Sequence, residues 1–267
     1  MAIQQPSHYN NRDFNNLNMY GEMEKLFPDK YSLYARWYPS ALLSLPFAAF
    51  IYPIGKANLD FMQSNLLCDI VGIVSSFVFC SSAMIVFYSD YVRNLGRKLQ
   101  LKHFQRSQRL PTTEFLLWSN SEFSDERKSL LHQAIKEDFN IKLLDKREEG
   151  NDEPKARQII GEAVDLIRPK IKDGVHLLQY NIRFGFIRNL AAGSRAIGLP
   201  ASLLFVLLSL IWLHNQACLI VESVLAGFYL WRVIKTEEML DFFGEEYARV
   251  LFAEYLNNRK FVIPSND

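Results

Sequence analysis

The 267-residue chain is poor in cysteine, glycine and proline, and it has no charge excess of either sign. Three cysteines cannot form an even-numbered disulfide framework, and 12 glycines with 10 prolines exclude a collagenous or disordered chain. With 30 basic and 29 acidic residues, the net charge of +1 gives no overall attraction to nucleic acid. We therefore do not expect nucleic acid as a partner, and any electrostatic function must be local.

Motifs that carry known chemistry are also missing. The chain has no Walker A sequence, no Rossmann glycine pattern, no His-Glu-x-x-His and no Gly-x-Ser-x-Gly. Its five histidines and three cysteines show no metal-ligand spacing. We predict no catalytic residues, no metal site and no cofactor, and we expect that the protein is not an enzyme.

Long apolar segments are what the sequence does contain. Residues 37–55, 70–89 and 196–221 carry no charge, and 217–234 is interrupted only by Glu222 before Arg232. About 20 helical residues cross the roughly 30 Å hydrocarbon core of a bilayer. The sequence has no Val-rich run of alternating residues, so we do not expect a sheet. The sequence predicts an all-α integral membrane protein with four transmembrane helices as two hairpins and a helical cytoplasmic domain between them.

Basic residues set the expected orientation. Six of them follow the second apolar segment, with no acid between Asp90 and Glu114, and positive residues favour the cytoplasmic side. The six are Arg93, Arg97, Lys98, Lys102, Arg106 and Arg109. This basic juxtamembrane patch could bind nucleotide phosphates, RNA or anionic lipid, but a topology determinant is the simpler interpretation. We expect both termini to be cytoplasmic.

The predicted organisation has five parts. They are a cytoplasmic N-terminal segment 1–36, transmembrane hairpin 37–89, a cytoplasmic helical domain 90–195, transmembrane hairpin 196–234, and a cytoplasmic amphipathic C-terminal helix and tail 235–267. Three prolines at seven-residue spacing, Pro39, Pro46 and Pro53, should kink or shorten the first helix. In the central domain, Ser124 is a helix start, and residues 146–152 are expected to be an exposed loop.

Two acidic residues fall near the predicted spans. Glu222 lies about five residues into the fourth helix, where a bare carboxylate is costly, so it should face protein or a water-filled path. The alternative is a hydrated position close to the tight turn at 214–216. Asp69 begins the second helix near the same face, and an acidic pair of Asp69 and Glu222 at a pore mouth would favour cations.

The segments Leu110-Pro111-Thr112-Thr113-Glu114-Phe115-Leu116 and Arg183-Phe184-Gly185-Phe186-Ile187-Arg188-Asn189-Leu190 carry one resemblance. Their order, followed by a membrane hairpin, resembles a bacterial multi-pass membrane family of unknown function over about residues 30 to 256. The resemblance implies a bacterial inner-membrane protein. Within this pattern we predict that Arg183, Arg188 and Asn189 couple the domain to the membrane, with Glu237, Glu238 or Asp241 as carboxylate partners.

A second, shorter resemblance lies near the C-terminus. Glu237 and Glu238, followed by Phe243-Gly244-Glu245-Glu246-Tyr247, are similar to the tail of isoprenylcysteine-type membrane methyltransferases. The Arg-His-Pro element of that family is missing from the preceding hairpin.

These features favour a non-enzymatic membrane effector or channel-like protein whose cytoplasmic domain senses a ligand or partner, with anti-phage defence as one setting by analogy. The alternatives are a membrane-embedded methyltransferase-like enzyme and a scaffold of a membrane complex. The expected partners are the lipid bilayer, further copies of the chain, and a nucleotide or protein ligand of the domain.

Overall fold

The computed structural model describes residues 29–58, 66–107, 110–171 and 174–260, and within those ranges it contains helices and no strand. The all-α prediction is therefore confirmed. The segment before residue 29, the linker 59–65, Arg109 and the tail 261–267 lie outside the described residues. The helices are α1 Lys30–Leu42, α2 Leu45–Asn58, α3 Leu66–Ser107, α4 Pro111–Glu114, α5 Asp125–Phe139, α6 Lys146–Asn151, α7 Glu153–Lys170, α8 Val175–Gly193, α9 Leu199–Leu208, α10 Gln216–Ile234 and α11 Thr236–Lys260.

Three helical stretches are long and apolar enough to cross a membrane: Asp69–Phe104, His176–Leu213 and Gln216–Ile234. The pair α1 and α2 makes a fourth candidate span if its two bent halves are taken together. The 36 residues of the first stretch measure about 54 Å at 1.5 Å per residue, which exceeds the bilayer core. The long helices thus run past the membrane, and the boundaries predicted at 89/90 and 195/196 fall inside continuous helix. A count of four spans in two hairpins stays a prediction.

Large apolar side chains cover the outer faces of these stretches. Phe79, Phe87 and Ile211 are 70%, 76% and 74% exposed. Isolated exposed apolar residues are ordinary on soluble proteins, but rows of them along long uncharged helices match a lipid-facing surface. The chain is a membrane protein by length, composition and surface.

The first apolar segment is bent as predicted, since α1 and α2 meet at 46° at a break just before Pro46. A proline has no N–H, so Pro39, Pro46 and Pro53 leave the carbonyls four residues earlier without their usual helical donor. All three carbonyls accept from side chains of later helices. Asn189 Nδ2 donates to Ala35 O at 2.6 Å, Tyr229 Oη to Leu42 O at 2.7 Å, and Cys218 Sγ to Ala49 O at 3.6 Å. The proline spacing therefore docks α1 and α2 onto α8 and α10.

Outside the candidate spans, α5, α7, α11 and the segment after α4 share one apolar core, here called the bundle. Ser124 caps α5 as predicted, by accepting from the Arg127 N–H, and Pro154 lies in the first turn of α7. The amphipathic C-terminal helix packs on this core. Its buried contributors are Ala248, Leu251, Phe252 and Tyr255.

The loop expected at residues 146–152 is wrong, because this segment forms α6. Asp145 and Glu148 make reciprocal side-chain to backbone hydrogen bonds that start the helix. The next residue, Glu149, is buried and accepts from the Trp118 and Ser119 N–H groups at 2.8 and 2.9 Å. This short helix therefore fixes the turn that follows α4.

Candidate functional site

Arg188 and Asn189 lie side by side on α8 and are buried. The Arg188 guanidinium donates through Nη1 to Gln100 Oε1 on α3 at 2.7 Å and through Nε to Asn189 Oδ1 at 3.3 Å. Asn189 in turn holds the Ala35 carbonyl of α1. These two residues thus connect three helices, whereas Arg183 is exposed and stands over the Tyr180 ring of its own helix at 5.5 Å. The predicted trio is not one cluster.

Gly96 allows α3 to approach α8 at this point. A Cβ built on Gly96 would lie 2.2 Å from Asn189 Oδ1, so any larger residue would displace Asn189. Gly185 has the same role one element away, because its Cβ would lie 3.0 Å from the Ala35 Cβ and from the Tyr31 hydroxyl. Both glycines thus allow close contact between helices that are far apart in the chain.

The carboxylate partners expected for Arg188 are wrong. Within the described residues, no Asp or Glu oxygen lies within 4 Å of its guanidinium. Asp241 instead contacts His103 Nε2 at 2.7 Å, and Glu238 pairs with Lys235 at 2.5 Å. The reason is the rotation of α8, which turns Arg188 toward α3 and away from the start of α11. Arg188 is therefore a buried cation whose partners are all neutral.

A cavity of about 240 Å³, here called the junction pocket, opens beside Arg188 where the long helices meet the bundle. It brings together both halves of the first resemblance and part of the second. No carboxylate lines it, and its two charged residues are the arginines Arg168, from α7, and Arg188. The lining residues are Gln100, Phe104, Leu110, Pro111, Thr112, Arg168, Asn181, Phe184, Arg188, Gly244 and Tyr247.

The chemistry of the junction pocket suits an anion. Arginine presents several N–H donors in a plane that matches carboxylate and phosphate groups. Arg168 is half exposed and donates to Asp165 Oδ1 at 3.0 Å on its own helix, which is a weak surface pair. Burial raises the pKa of the Tyr247 hydroxyl above its ordinary value of 10.0, so this group stays protonated and can act as a donor.

The basic juxtamembrane patch extends the positive charge of this region. Arg93 and Arg97 of α3 lie close enough to Arg188 of α8 for their charges to interact with it. Arg97, Lys98 and Lys102 are exposed and Arg93 is half-buried. The side chain of Arg106 and the whole of Arg109 lie outside the part of the chain that the structure describes.

Asp69 has its charge compensated. The Lys56 ammonium and the Tyr52 hydroxyl both donate to Asp69 Oδ1 at 2.6 Å, which ties the end of α2 to the start of α3. The acidic pair with Glu222 suggested by the sequence is therefore not what the structure shows.

Glu222 has no such compensation. Its side chain is 0% exposed, and neither carboxylate oxygen has a hydrogen-bond partner among the described residues. The hydrated position near the turn is thus wrong, since the carboxyl group is enclosed by protein. Cys80 and Cys218 are free and buried, and the described residues hold no cluster of three or more His, Cys, Asp or Glu side chains that could bind a metal.

Compared with known proteins, the chain matches no family model, no curated protein and no solved structure. Both resemblances stay predictions. The pocket residues Gln100 and Arg168 were not predicted, because they are ordinary helical polar residues whose position in a pocket depends on contacts with distant helices.

Proposed function

We propose that the protein is a membrane effector or channel-like protein whose bundle binds a small anionic ligand in the junction pocket and passes that binding to the spans. One observation carries the proposal. Arg168 belongs to the bundle and Arg188 to a candidate span, and both line one pocket that no carboxylate lines. A ligand that pairs with both arginines would draw the two regions together.

The electrostatics favour an anion of modest size. A guanidinium that is 9% exposed and has only neutral partners is costly, and an incoming phosphate or carboxylate would lower that cost. Ligand pockets commonly measure about 300–1,000 Å³, so a cavity of about 240 Å³ fits a phosphate, a pyrophosphate or the phosphate end of a nucleotide better than a whole large ligand.

Two continuous helices offer the path from pocket to membrane. Arg188 lies in a helical stretch that runs without interruption to Leu213, and its hydrogen bond to Gln100 reaches α3. Between Arg188 and the end of this stretch at Leu213, residues Ser194–Gly198 form a π-helical turn, a feature often found at functional sites. A shift of Arg188 on ligand binding would act first on this turn.

The proposed membrane location and orientation are based on the sequence. We place the protein in a bacterial inner membrane with both termini and the bundle on the cytoplasmic side, supported by the basic patch on α3. We also propose a homo-oligomer, because small residues along the spans, such as Ser75, Ala83 and Ala201, allow close helix contact.

Calorimetry with the full chain in mild detergent tests the proposal. Pyrophosphate and ADP are the probes, and Arg188→Gln should abolish binding while leaving the protein folded. Lys146→Gln is the matched control, because Lys146 is 71% exposed and makes only a 3.3 Å surface contact with Asp125. Equal binding by both variants would contradict the assignment of the pocket.

The methyltransferase-like alternative has one observation in its favour, since Gly244 and Tyr247 of that tail line the same pocket. S-adenosylmethionine is therefore a third probe in the same titration. Binding of the methyl donor with no response to pyrophosphate or ADP would favour the enzyme. A chain that binds none of the three would favour the scaffold.

A further inference from the structure

Glu222 is the polar side chain whose burial the proposed function leaves unexplained. It lies on α10 at 0% exposure, and both of its carboxylate oxygens lack a partner within the described residues. On the facing helix α9, the Ser202 hydroxyl is buried and unpartnered as well. Two unsatisfied polar groups on neighbouring helices in an otherwise apolar region are an unusual combination.

The packing register places these two groups on the facing sides of α9 and α10. Ser209 Oγ donates to Cys218 Sγ at 3.2 Å, and Gly198 packs against the Tyr229 ring, so the two helices run antiparallel about the turn at His214. The same register sets Glu222 opposite Phe205, with Ser202 about one helical turn away. Phe205 stacks on Phe50 at 4.4 Å between ring centroids, which adds an apolar wall.

Among the described residues, no side chain forms a hydrogen bond or ion pair with Glu222. α9 carries no titratable residue, and the two titratable residues of α2, Tyr52 and Lys56, are bound to Asp69. Arg195, in the π-helical turn, is exposed. On α10 itself the nearest titratable groups are Cys218 and Tyr229, which donate to the carbonyls of Ala49 and Leu42. An ionised carboxylate here would stand alone in apolar surroundings.

We infer that Glu222 is a proton-binding site within the candidate spans, held as a neutral carboxylic acid beside Ser202. A neutral carboxylic acid costs far less to bury without a partner than an ionised carboxylate does. A metal cation is a poorer occupant. Hard cations take about six or more oxygen ligands, whereas this position offers the two oxygens of Glu222, Ser202 and the already engaged Ser209.

A cavity lies on the neighbouring face of α10, although Glu222 does not line it. This cavity of about 470 Å³ runs along Asn215, Cys218, Val221 and Leu225, the residues that flank Glu222 on its helix. Its polar residues, Asn215 and Tyr52, are at the end next to the turn. Water entering from that end would reach the vicinity of the carboxyl group without crossing the bundle.

Infrared spectroscopy of the whole chain in lipid tests the inference directly. The difference spectrum between wild type and Glu222→Gln at neutral pH should show the loss of a protonated carboxylic acid band. Loss of a carboxylate band instead would overturn the proposal. The matched control is Asp69→Asn, which should remove a carboxylate band because Asp69 is paired with Lys56.

Carbodiimide labelling supplies a second measurement, because this reagent adds to protonated carboxyl groups in apolar sites. We expect a dicyclohexylcarbodiimide adduct on Glu222, none on Asp69, and loss of the labelling in Glu222→Gln. The labelling should be unchanged by sodium or calcium ions. Protection by either ion would overturn the inference in favour of a cation site. The result does not depend on ligand binding in the junction pocket.

Discussion

Tyr229→Phe tests whether the proline spacing docks the first candidate span. The substitution removes only the hydroxyl, which donates to the Leu42 carbonyl at 2.7 Å, and Tyr229 is fully buried. Pro46 cannot supply the helical N–H that this carbonyl would otherwise receive, so the variant leaves a buried acceptor unsatisfied.

The expected loss follows from general magnitudes. A net hydrogen bond contributes about 0.5–1.5 kcal/mol and an unsatisfied buried group costs about 1–3 kcal/mol, while interhelical bonds within membranes average about 0.6 kcal/mol with a maximum near 1.7. We expect about 1–2 kcal/mol of lost stability. For a protein of this size that corresponds to a fall in Tm of about 2–8 °C.

The assay is thermal unfolding in mild detergent, monitored by tryptophan fluorescence. Tyr229→Phe is measured both in the wild-type chain and in the Pro46→Ala variant. In Pro46→Ala, residue 46 regains an N–H for the Leu42 carbonyl, so Tyr229→Phe should then cost only about 0.5 kcal/mol. Ser223→Ala is the control, because Ser223 Oγ donates to a carbonyl, that of Leu219, which keeps its helical donor. Equal losses for Tyr229→Phe in both backgrounds would refute the reasoning.

Three further predictions concern orientation, packing and pH. A cysteine at Asn215, in a chain without its native cysteines, should be labelled from outside intact cells, and labelling of the bundle instead would reverse the topology. Gly198→Ala should lower Tm because a Cβ would lie 2.7 Å from the Tyr229 ring, whereas Gly227→Ala, which meets nothing within 4 Å, should not. Burial lowers the pKa of His132 below its ordinary 6.5, so below about pH 6.5 the unfolded chain binds more protons than the folded one and the free energy of unfolding should fall. His132→Gln should flatten this dependence of stability on pH. An unchanged dependence would exclude His132 as its source.

The errors of sequence reasoning have specific causes. Asp145 and Glu148 have the spacing of a capping box, which indicates a helix start. The neighbouring Gly150 and Asn151, however, favoured a loop. Arg188 was matched with carboxylates after the fourth helix, because the sequence placed them at a similar depth but could not give the rotation of α8. Gln100, its actual partner, lies 88 positions away.

The sequence by itself determined which long segments are helical and apolar enough to span a membrane, and it predicted the bend in the first of them, which lies next to Pro46. These properties depend on residues within about 20 positions of each other, because bilayer thickness, capping and proline geometry act locally. The tertiary structure decided that Arg188 has neutral partners, that Asp69 is paired and that Glu222 is alone. The energy of a charge depends on what surrounds it in space, and those surroundings come from helices far apart in the chain.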